Sequence, residues 1–241
     1  MAKITRERYK TYNNVFDQFT HRNLFKLASE GFFEDLKSSV ALGKEANIFT
    51  AEKKDGRLVI VKIYRLEGCN FNKMFDYIKQ DPRYEGLNKK RREIIFAWTQ
   101  REFRNLLKAR EVIRVPTPLK VKDNILVMEM IGDDDVAPEL KNKEPENPKK
   151  FFSKIIENIA KLYSQGLVHG DLSHFNILNN NDEPVFIDFS QATLTDNQQV
   201  DELLERDVIN IVNYFNKKFN IKQDVSKSLE KIRIMSQKLK N

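Results

Sequence analysis

Three polar residues in the second half of the chain have the types and the spacing to do chemistry together. Asp171 and Asn176 lie five positions apart, and Asp188 follows at the end of the apolar run 185–187. A carboxylate at the end of an apolar strand is costly to bury unless a cation or hydrogen-bond donors meet it. Carboxylate and amide oxygens suit Mg²⁺ bound together with substrate phosphates, and one aspartate is left to orient or deprotonate a nucleophile.

The order of these residues is typical of kinase-type phosphoryl transfer, in which His-x-Asp-x-x-x-x-Asn precedes a metal-binding Asp. Each residue alone has a structural alternative. Asp171 can cap a turn, Asn176 can form an Asx turn, and Asp188 can begin a loop. Because all three occur at kinase spacing, we expect a phosphotransfer site, provided that the rest of the chain supplies its context.

That context begins with a lysine on an apolar strand and a glutamate on an apolar helix stripe. Lys62 lies in the β-branched run 58–64, and two-residue alternation puts it on the face of Ile60 and Tyr64. Glu102 lies in the middle of the helical stripe formed by Ile95, Trp98, Leu106 and Ala109. The alternative is a lysine that snorkels and a glutamate that reaches the rim. Each residue explains the other as an ion pair, and in kinases such a pair positions the α- and β-phosphates.

Gly43 lies between two predicted strands, as a phosphate-covering loop would. A glycine allows backbone N–H groups to approach phosphate closely because it has no side chain. One glycine is a weak signal, and the segment is not the three-glycine loop of ordinary protein kinases.

The composition describes a folded, basic, soluble protein. The 241 residues carry 42 Lys and Arg against 35 Asp and Glu, a formal net charge of +7, and 40% are hydrophobic. No run reaches the roughly 18–20 apolar residues of a membrane span, and no secretory signal is visible, so we expect a cytoplasmic protein. The single cysteine, Cys69, excludes an internal disulfide and a cysteine-based zinc cluster. A pI near 9.3 favours an acidic partner such as RNA, and its alternative is a solvated basic surface.

The elements that must hold these residues predict an α+β, two-lobed fold. Helical periodicity covers 5–37, 93–111, 150–165 and a final amphipathic stretch from about 200, and strand patterns occur near 38–49, 58–64, 118–121, 125–130, 176–178 and 185–187. We therefore divide the chain into an N-terminal helical extension, a β-rich N-lobe with a flexible insertion, and a reduced helical C-lobe that ends in a basic helix. The corresponding ranges are 1–37, 38–130 with the insertion at about 68–92, and 131–241.

Seven ordered motifs resemble the RIO family of atypical protein kinases, and within it the first subfamily in its compact, archaeal-type form. The resemblance covers about residues 25–218. The motifs are Gly43-Lys44-Glu45-Ala46-Asn47-Ile48, Val61-Lys62-Ile63-Tyr64-Arg65, Trp98-Thr99-Gln100-Arg101-Glu102-Phe103-Arg104-Asn105-Leu106, Met128-Glu129-Met130-Ile131-Gly132, Val168-His169-Gly170-Asp171-Leu172-Ser173-His174-Phe175-Asn176, Ile187-Asp188-Phe189-Ser190-Gln191-Ala192 and Leu204-Glu205-Arg206-Asp207-Val208.

The resemblance implies a protein-kinase-like fold that binds ATP with Mg²⁺ or Mn²⁺. It makes Asp171 the catalytic aspartate, gives Asn176 and Asp188 to the metal, and makes Asp188 a position that can itself accept the γ-phosphate. The residues that it assigns to the nucleotide are Gly43 and Lys44 of the phosphate loop, Lys62 with Glu102, Met128 of the adenine pocket, and Glu129 and Ile131 of the hinge.

Two departures from the family pattern stand out. Ala41 occupies a position that is usually serine, so one hydroxyl contact to phosphate is missing or is replaced by nearby Ser39. His174 replaces an acid by a residue that titrates near neutrality, and we expect a surface substitution without consequence. We expect His169 to be a structural residue that holds the loop.

The segment after Asp188 has room for a short loop and about two helices, and no Ala-Pro-Glu motif appears in it, so we expect no conventional peptide-docking groove. The last predicted helix, 222–240, combines an apolar stripe of Val225, Leu229, Ile232 and Leu239 with several lysines. Together with the basic run 89–92, it is a candidate rRNA surface, with a solvated terminal helix as the alternative.

The resemblance implies an ATP-dependent serine kinase or ATPase that autophosphorylates and acts on the precursor of the small ribosomal subunit. Two alternatives stay open at this point. His169-Gly170-Asp171 and 187–189 also suit a small-molecule kinase of the aminoglycoside or choline type, and a non-catalytic ribosome-assembly scaffold is a third hypothesis.

Overall fold

The computed structural model describes residues 16–240, which form two lobes that meet near residue 130. The N-lobe contains a five-stranded antiparallel sheet with the strand order β1-β2-β3-β5-β4. Its strands are β1 (Asp35–Leu42), β2 (Ala46–Glu52), β3 (Leu58–Tyr64), β4 (Pro118–Lys122) and β5 (Ile125–Glu129). The predicted two-lobed α+β fold is confirmed.

The two faces of this sheet have different partners because side chains alternate along each strand. One face carries Phe49, Val61 and Val127, which pack against helix α1 (Gln18–Ser29). The other face carries Ile60 and Met128 and belongs to the core shared with the C-lobe and with helix α3 (Arg91–Ala109). Lys62 lies on this second face, as the alternation predicts.

The N-terminal helix is shorter than the predicted helical stretch 5–37. Helix α1 begins after Asp17, whose carboxylate accepts hydrogen bonds from the Phe19 and Thr20 amides, and it ends at Ser29, just before Gly31 at φ +83°. Residues 35–37 were predicted helical and instead lie in β1, because they pair with β2 at the sheet edge. The part of the prediction that covers 1–15 lies outside the described residues.

The segment 68–92, predicted to be a flexible insertion, contains helix α2 (Phe71–Ile78) and a 3₁₀ turn at Pro82–Tyr84. The polar composition of this segment hides two core residues, Met74 and Ile78, which are buried against α3 beside Ile94 and Trp98. Tertiary packing therefore orders a stretch that local composition predicts to be mobile.

The C-lobe is built on helices α4 (Pro148–Ser164) and α5 (Val200–Phe219), with α6 (Val225–Lys240) packed beside them. Two short antiparallel strand pairs flank the segments that carry Asp171 and Asp188. Strands β7 (Ile177–Asn180) and β8 (Glu183–Phe186) form a hairpin, and β6 (Leu167–Val168) pairs with the more distant β9 (Thr193–Leu194). Only the segment 189–199 separates Asp188 from α5, which agrees with the short C-terminal region predicted from the sequence.

The buried stripe of α6 differs from the predicted one. Leu239 is 53% exposed, whereas Ser228 and Ser236 are buried beside Ile232. Small serines allow close packing of α6 on the lobe, and each hydroxyl donates to a backbone carbonyl three or four residues earlier, those of Asp224 and Arg233. Within residues 16–240, none of the helices has the length and apolar character needed to cross a membrane.

Candidate active site

A cavity of about 560 Å³ lies between the two lobes. Its apolar walls come from both lobes, with Ile48, Ile60 and Met128 from the sheet and Leu178 and Ile187 from the C-lobe hairpin. Lys62, Glu102, Asn176 and Asp188 also line this space, and we call the part of the cavity that they form its polar end. Slots of this kind, apolar with a few convergent polar groups, are typical of cofactor sites.

Lys62 lies between two carboxylates at the polar end of the cavity. Its Nζ donates to Glu102 Oε1 at 2.8 Å and to Asp188 Oδ1 at 3.0 Å, and Glu102 Oε2 also accepts a hydrogen bond from the Tyr64 hydroxyl. Lys62 and Glu102 are 4% and 1% exposed. Burial opposes the ammonium charge, yet Asp188 and Glu102 outweigh it and hold the pKa of Lys62 well above its usual value. The predicted Lys62–Glu102 ion pair is therefore present in the structure.

Asp188 has the most exposed side chain of this cluster. Its side chain is 41% exposed, and its backbone has φ +62°, a left-handed conformation that positions it at the end of β8. Burial raises its pKa, but Lys62 and the Ser190 hydrogen bond outweigh this and lower the pKa to about 2. With one positive and two negative side chains, the cluster has a net charge of −1 and favours a cation.

The predicted metal ligands Asn176 and Asp188 fit a magnesium site shared with phosphates. Asn176 uses its Nδ2 to donate to the Asp171 carbonyl at 2.8 Å, which leaves its Oδ1 for a cation. Among residues 16–240 there is no group of three or more His, Cys, Asp or Glu side chains that could hold a metal alone. Mg²⁺ commonly takes one or two protein ligands and completes its octahedron with water and substrate phosphates.

Asp171 is half-buried beside the cavity, and Gln191 orients its carboxylate. Gln191 Nε2 donates to Asp171 Oδ2 at 2.8 Å. Burial and the neighbouring Asp188 raise the pKa of Asp171, partly against Arg206 and Lys73. A carboxylate with a raised pKa, held in one orientation, can accept the proton of a hydroxyl nucleophile.

Asp207 on α5 holds the loop that carries Asp171. Asp207 is 1% exposed, and its two oxygens accept hydrogen bonds from the Gly170 and Leu172 amides, both at 2.7 Å. Burial raises its pKa to about 7 against these two bonds. Because the bonded amides flank Asp171, Asp207 holds the backbone on both sides of that residue.

His169 is a structural residue, as the sequence analysis expects. It is buried, its Nε2 lies 3.0 Å from the Ile187 carbonyl, and its ring packs against Phe189 at 4.8 Å between centroids. Burial lowers its pKa to about 4, so the imidazole is neutral near pH 7. It therefore ties the Asp171 loop to the Asp188 segment by packing.

Met128, Glu129 and Ile131, the residues predicted for the adenine pocket and the hinge, lie where the two lobes meet. All three line the cavity. The Glu129 side chain is held by Arg114 and by the Thr117 amide at 3.1 Å, and its N–H donates to the Thr117 carbonyl at 2.8 Å, so its carbonyl is the group left for a ligand. The Ile131 carbonyl accepts from the Ala137 amide at 2.7 Å, which leaves the Ile131 N–H as its ligand-binding group.

Gly43 and Lys44 are not among the residues that line the cavity. The Gly43 amide donates to the Ala46 carbonyl at 3.0 Å and closes a tight turn between β1 and β2. The nearby wall is formed instead by residues 38–41, where β1 is irregular in register. Ser38 and Ser39 both line the cavity, so hydroxyls are present beside Ala41, while the assignments of Gly43 and Lys44 stay predictions.

Four polar residues that the sequence analysis quoted only as motif letters have structural roles here. Asp207 and Gln191 hold the Asp171 segment, and Arg101 and Asn105 hold the segment after Asp188. A sequence signal was available, since Arg101 and Asn105 lie four positions apart on the helix that carries Glu102. His174 stacks on Tyr214 at 4.3 Å, and burial with Lys141 lowers its pKa.

Comparisons with known proteins agree with this geometry. A sequence model of the RIO domain matches residues 47–228, more than half of the chain.

The chain belongs to the RIO family.

Within it, the chain belongs to the Rio1 subfamily. It is 44% identical over 215 residues to the RIO-type serine/threonine-protein kinase Rio1 of Methanocaldococcus jannaschii, covering 88% of this chain and 73% of that protein. It is 37% identical over 211 residues to Rio1 of Haloferax volcanii, covering 87% and 73%. It is 31% identical to human RIO1 over 85% of this chain, which is 37% of that longer protein.

Solved RIO structures share the fold. The Rio2 kinase of Chaetomium thermophilum, in a complex described as ADP/Mg²⁺-phosphoaspartate, aligns with a TM-score of 0.67 at 21% identity over 91% of this chain and 76% of that chain. A second Rio2 structure from the same organism aligns with a TM-score of 0.70. The kinase names of the Rio1 relatives, together with the family match, make this chain a RIO-type kinase, a phosphotransferase.

Proposed function

We propose that this RIO kinase transfers the γ-phosphate of ATP, bound with Mg²⁺, to serine, including its own, and to Asp188. The observation that carries the proposal is Lys62, held between Glu102 and Asp188 at the polar end of the cavity. The Lys62 ammonium provides a contact for phosphate. The exposed carboxylate of Asp188 beside it provides a contact for a cation. Magnesium, when bound by Asn176 and Asp188, neutralises the charge that develops on the phosphoryl group.

The adenine is expected in the apolar half of the cavity. Ile60 above and Leu178 below form its two faces, and the Ile131 N–H and the Glu129 carbonyl bind its edge. A polar edge needs only these few directed groups, because the apolar walls supply most of the buried area. Gly43 and Lys44 would then cover the phosphates once the turn between β1 and β2 approaches them.

Two acceptors fit the arrangement around Asp171. For a serine, Asp171 takes the hydroxyl proton while the serine oxygen forms a bond to phosphorus and the bond to the β-phosphate oxygen breaks, releasing ADP. For Asp188, its own oxygen forms the new bond, and water later cleaves the aspartyl phosphate to release inorganic phosphate. The phosphoaspartate complex of the Chaetomium thermophilum Rio2 supports the second route.

The decisive experiment incubates wild type, Asp171→Ala and Asp188→Asn with γ-labelled ATP and Mg²⁺, and treats the labelled protein with hydroxylamine. We expect hydroxylamine-sensitive label in wild type and its loss in Asp188→Asn. Acid-stable label on serine, absent from Asp171→Ala, indicates autophosphorylation. If wild type neither takes up label nor consumes ATP, the proposed activity is wrong. A small alcohol phosphorylated faster than basal ATP hydrolysis would instead favour the small-molecule kinase.

Asp182→Asn is the matched control for Asp188→Asn. Asp182 also has a positive φ, of 65°, and it lies in the turn between β7 and β8, where its carboxylate accepts from the Glu146 amide. Asparagine tolerates the left-handed region as aspartate does. This variant should therefore keep full labelling, and any loss equal to that of Asp188→Asn would mean that the change acts through the fold.

We further propose that the protein acts in the cytoplasm on the precursor of the small ribosomal subunit and contacts its RNA. Lys89, Lys90, Arg91 and Arg92 are all exposed at the start of α3. Three of these cations lie over aromatic rings, Arg91 on Phe71 at 4.7 Å among them, which limits their side-chain freedom. The exposed bases of α6 form the second part of this basic surface.

Fluorescence anisotropy with a labelled fragment of the small-subunit RNA tests this surface. Replacing Lys89 and Lys90 by Glu should weaken binding and reduce the slope of log K against log salt, by roughly 0.7–0.9 per lost phosphate contact. Lys54→Glu, at an exposed lysine of the turn between β2 and β3, is the control. Equal slopes for all variants would contradict RNA contact at this surface.

A further inference from the structure

A second buried polar cluster lies on the side of α3 that faces away from the cavity. Arg101 precedes Glu102 in the chain, and adjacent helical residues point about 100° apart. Arg101 is 1% exposed, and its guanidinium donates to the Ser190 carbonyl at 2.8 Å and to the Thr193 hydroxyl at 2.9 Å. One helix therefore places Glu102 on the phosphate lysine and Arg101 on the segment after Asp188.

Arg101 is held on its other side by the segment between α2 and α3. Its Nε donates to Asp81 Oδ2 at 3.1 Å, and Asp81 is 6% exposed. Arg83 donates to both oxygens of Asp81 as well. Burial alone raises the pKa of Asp81, but Arg83 and Arg101 outweigh it and lower the pKa below its usual value, so the carboxylate is charged.

Asn105, one helical turn after Arg101, completes the cluster. Its Nδ2 donates to the Phe189 carbonyl at 3.0 Å and to the Ala192 carbonyl at 2.8 Å, and its Oδ1 accepts from Arg83 at 2.9 Å. Together, Arg101 and Asn105 bind three carbonyls and one hydroxyl within the five residues that follow Asp188. Each guanidinium nitrogen of Arg101 has a partner, as does the amide nitrogen of Asn105, so this part of the backbone has one preferred conformation.

The held segment contains Gln191, which hydrogen-bonds to the carboxylate of Asp171. We propose that Arg101 is a positioning residue for phosphotransfer: with Asp81 and Asn105 it fixes residues 189–193, and through Gln191 it sets the orientation of the catalytic carboxylate. The segment 68–92 thereby takes part in catalysis without touching substrate. This inference rests on the proposed role of Asp171 and assigns a further role to residues on the far side of α3.

The expected effect is on turnover rather than on nucleotide affinity. The cavity walls that receive adenine are formed by other residues, whereas a displacement of about 1 Å at a catalytic group can cost about 10²-fold in rate. Arg101→Lys keeps a positive charge beside Asp81 but cannot reach Ser190 and Thr193 with a planar fork. We expect its kcat to fall by about 10- to 100-fold while the KM for ATP changes less than about twofold.

Hydrogen exchange provides a measurement that does not depend on activity. In Arg101→Lys, the amides of residues 189–193 should exchange at least about tenfold faster than in wild type, and those of the N-lobe sheet should not change. This measurement remains informative even if wild type proves inactive towards ATP. In that case the proposed function fails on its own experiment, while the exchange rates still decide whether Arg101 holds the segment.

Arg104→Lys is the matched control, since Arg104 lies on the same helix, is exposed, and also lies over an aromatic ring, that of Tyr84 at 5.5 Å. It should change neither turnover nor exchange. A double variant then tests the route of the effect. If Arg101 acts through Gln191, the Arg101→Lys change should have little further effect on kcat in a Gln191→Ala background, because the two residues act as one unit.

Three results would overturn the proposal. Unchanged exchange at 189–193 in Arg101→Lys would show that the arginine does not hold the segment. If the fold-losses in kcat of Arg101→Lys and Gln191→Ala multiply in the double variant, the two residues act independently. A raised KM with unchanged kcat would place the effect in nucleotide binding.

Discussion

Helix α3 connects two buried ionic clusters that differ in their access to the cavity and in their net charge. The cluster of Lys62, Glu102 and Asp188 opens onto the cavity through Asp188 and has a net negative charge. The cluster around Arg101 and Asp81 is closed, with its donors used by protein carbonyls, hydroxyls and carboxylates.

The comparison teaches that burial and charge alone do not identify a catalytic cluster. Both clusters contain a cation less than 5% exposed, paired with a carboxylate on or near α3. Only the first retains an acceptor edge that faces an open cavity and a net charge that a magnesium ion can neutralise. An exposed acceptor beside the cavity, such as Asp188, therefore distinguishes the candidate reactive site, whereas the closed cluster holds backbone.

The largest expected effect comes from removing the cation of the open cluster. Lys62→Met leaves Glu102 and Asp188 as neighbouring carboxylates, which we expect to destabilise the fold by about 3–5 kcal/mol. Turnover should fall by about 10²–10³-fold, because a positive group on the phosphates is lost. Urea unfolding and ATPase assays measure the two effects. Arg57→Met, which removes an exposed pair with Asp55, is the control and should change neither. A fully active Lys62→Met would refute the open cluster as the phosphate site.

The second prediction concerns the loop beneath the open cluster, where two buried groups titrate with opposite signs. His169, with a pKa of about 4 against 6.5, stabilises the fold above pH 6.5, and this contribution is lost as the pH falls towards 4. Asp207, with a pKa of about 7 against 3.8, favours its protonated form, so its contribution rises as the pH falls from 7 towards 4. The two amount to about 3 and about 4 kcal/mol and nearly cancel in the metal-free protein.

Single variants should separate these two contributions. In Asp207→Asn, the free energy of unfolding should fall by about 3 kcal/mol between pH 6.5 and 4, because only the histidine titrates. In His169→Gln it should rise over the same range. Chemical denaturation at several pH values measures both. Parallel pH curves for the two variants would contradict the opposing shifts.

The third prediction concerns the stabilisation that ADP with Mg²⁺ gives to the protein through the open cluster. At about 100 times its Kd, ADP with Mg²⁺ should stabilise wild type by about 2.7 kcal/mol, seen as a rise in Tm. Asp188→Asn should lose most of the magnesium-dependent part, since one of two protein ligands is changed. Asp182→Asn should keep the whole effect, and an equal loss there would mean that the change at Asp188 acts through the fold rather than through the metal.

The smallest effect is expected at the hydroxyl that supports Glu102. Tyr64→Phe removes a hydrogen bond to a buried carboxylate and should destabilise the fold by about 1–3 kcal/mol. Tyr214→Phe removes a bond to the neutral Leu140 carbonyl, 3.2 Å long and half-buried, and should cost about 1 kcal/mol or less. Thermal unfolding of both variants decides the comparison, and a larger loss at Tyr214 would reverse it.

The amino-acid sequence by itself indicated the candidate site residues and most of the elements that carry them. Alternation placed Lys62 on the inner face of β3, and helical periodicity placed Glu102 in a buried stripe, because each pattern leaves a single charge among apolar neighbours. The order of Asp171, Asn176 and Asp188 predicted phosphoryl transfer for a similar reason, since costly polar groups at strand ends need a function or a partner.

Only the tertiary structure decided which residues hold that site in place. Asp207 meets Gly170 across 37 positions of sequence, and Arg101 meets Ser190 across 89. Such contacts have no local period, so neither propensity nor spacing reveals them. The helix and the buried side chains of segment 68–92 could not be predicted for the same reason. Met74, Ile78 and Asp81 are isolated among many charged residues, and their burial depends on α3 and on the segment after Asp188. Local patterns fix what a residue can do, whereas long-range packing fixes where its partners are.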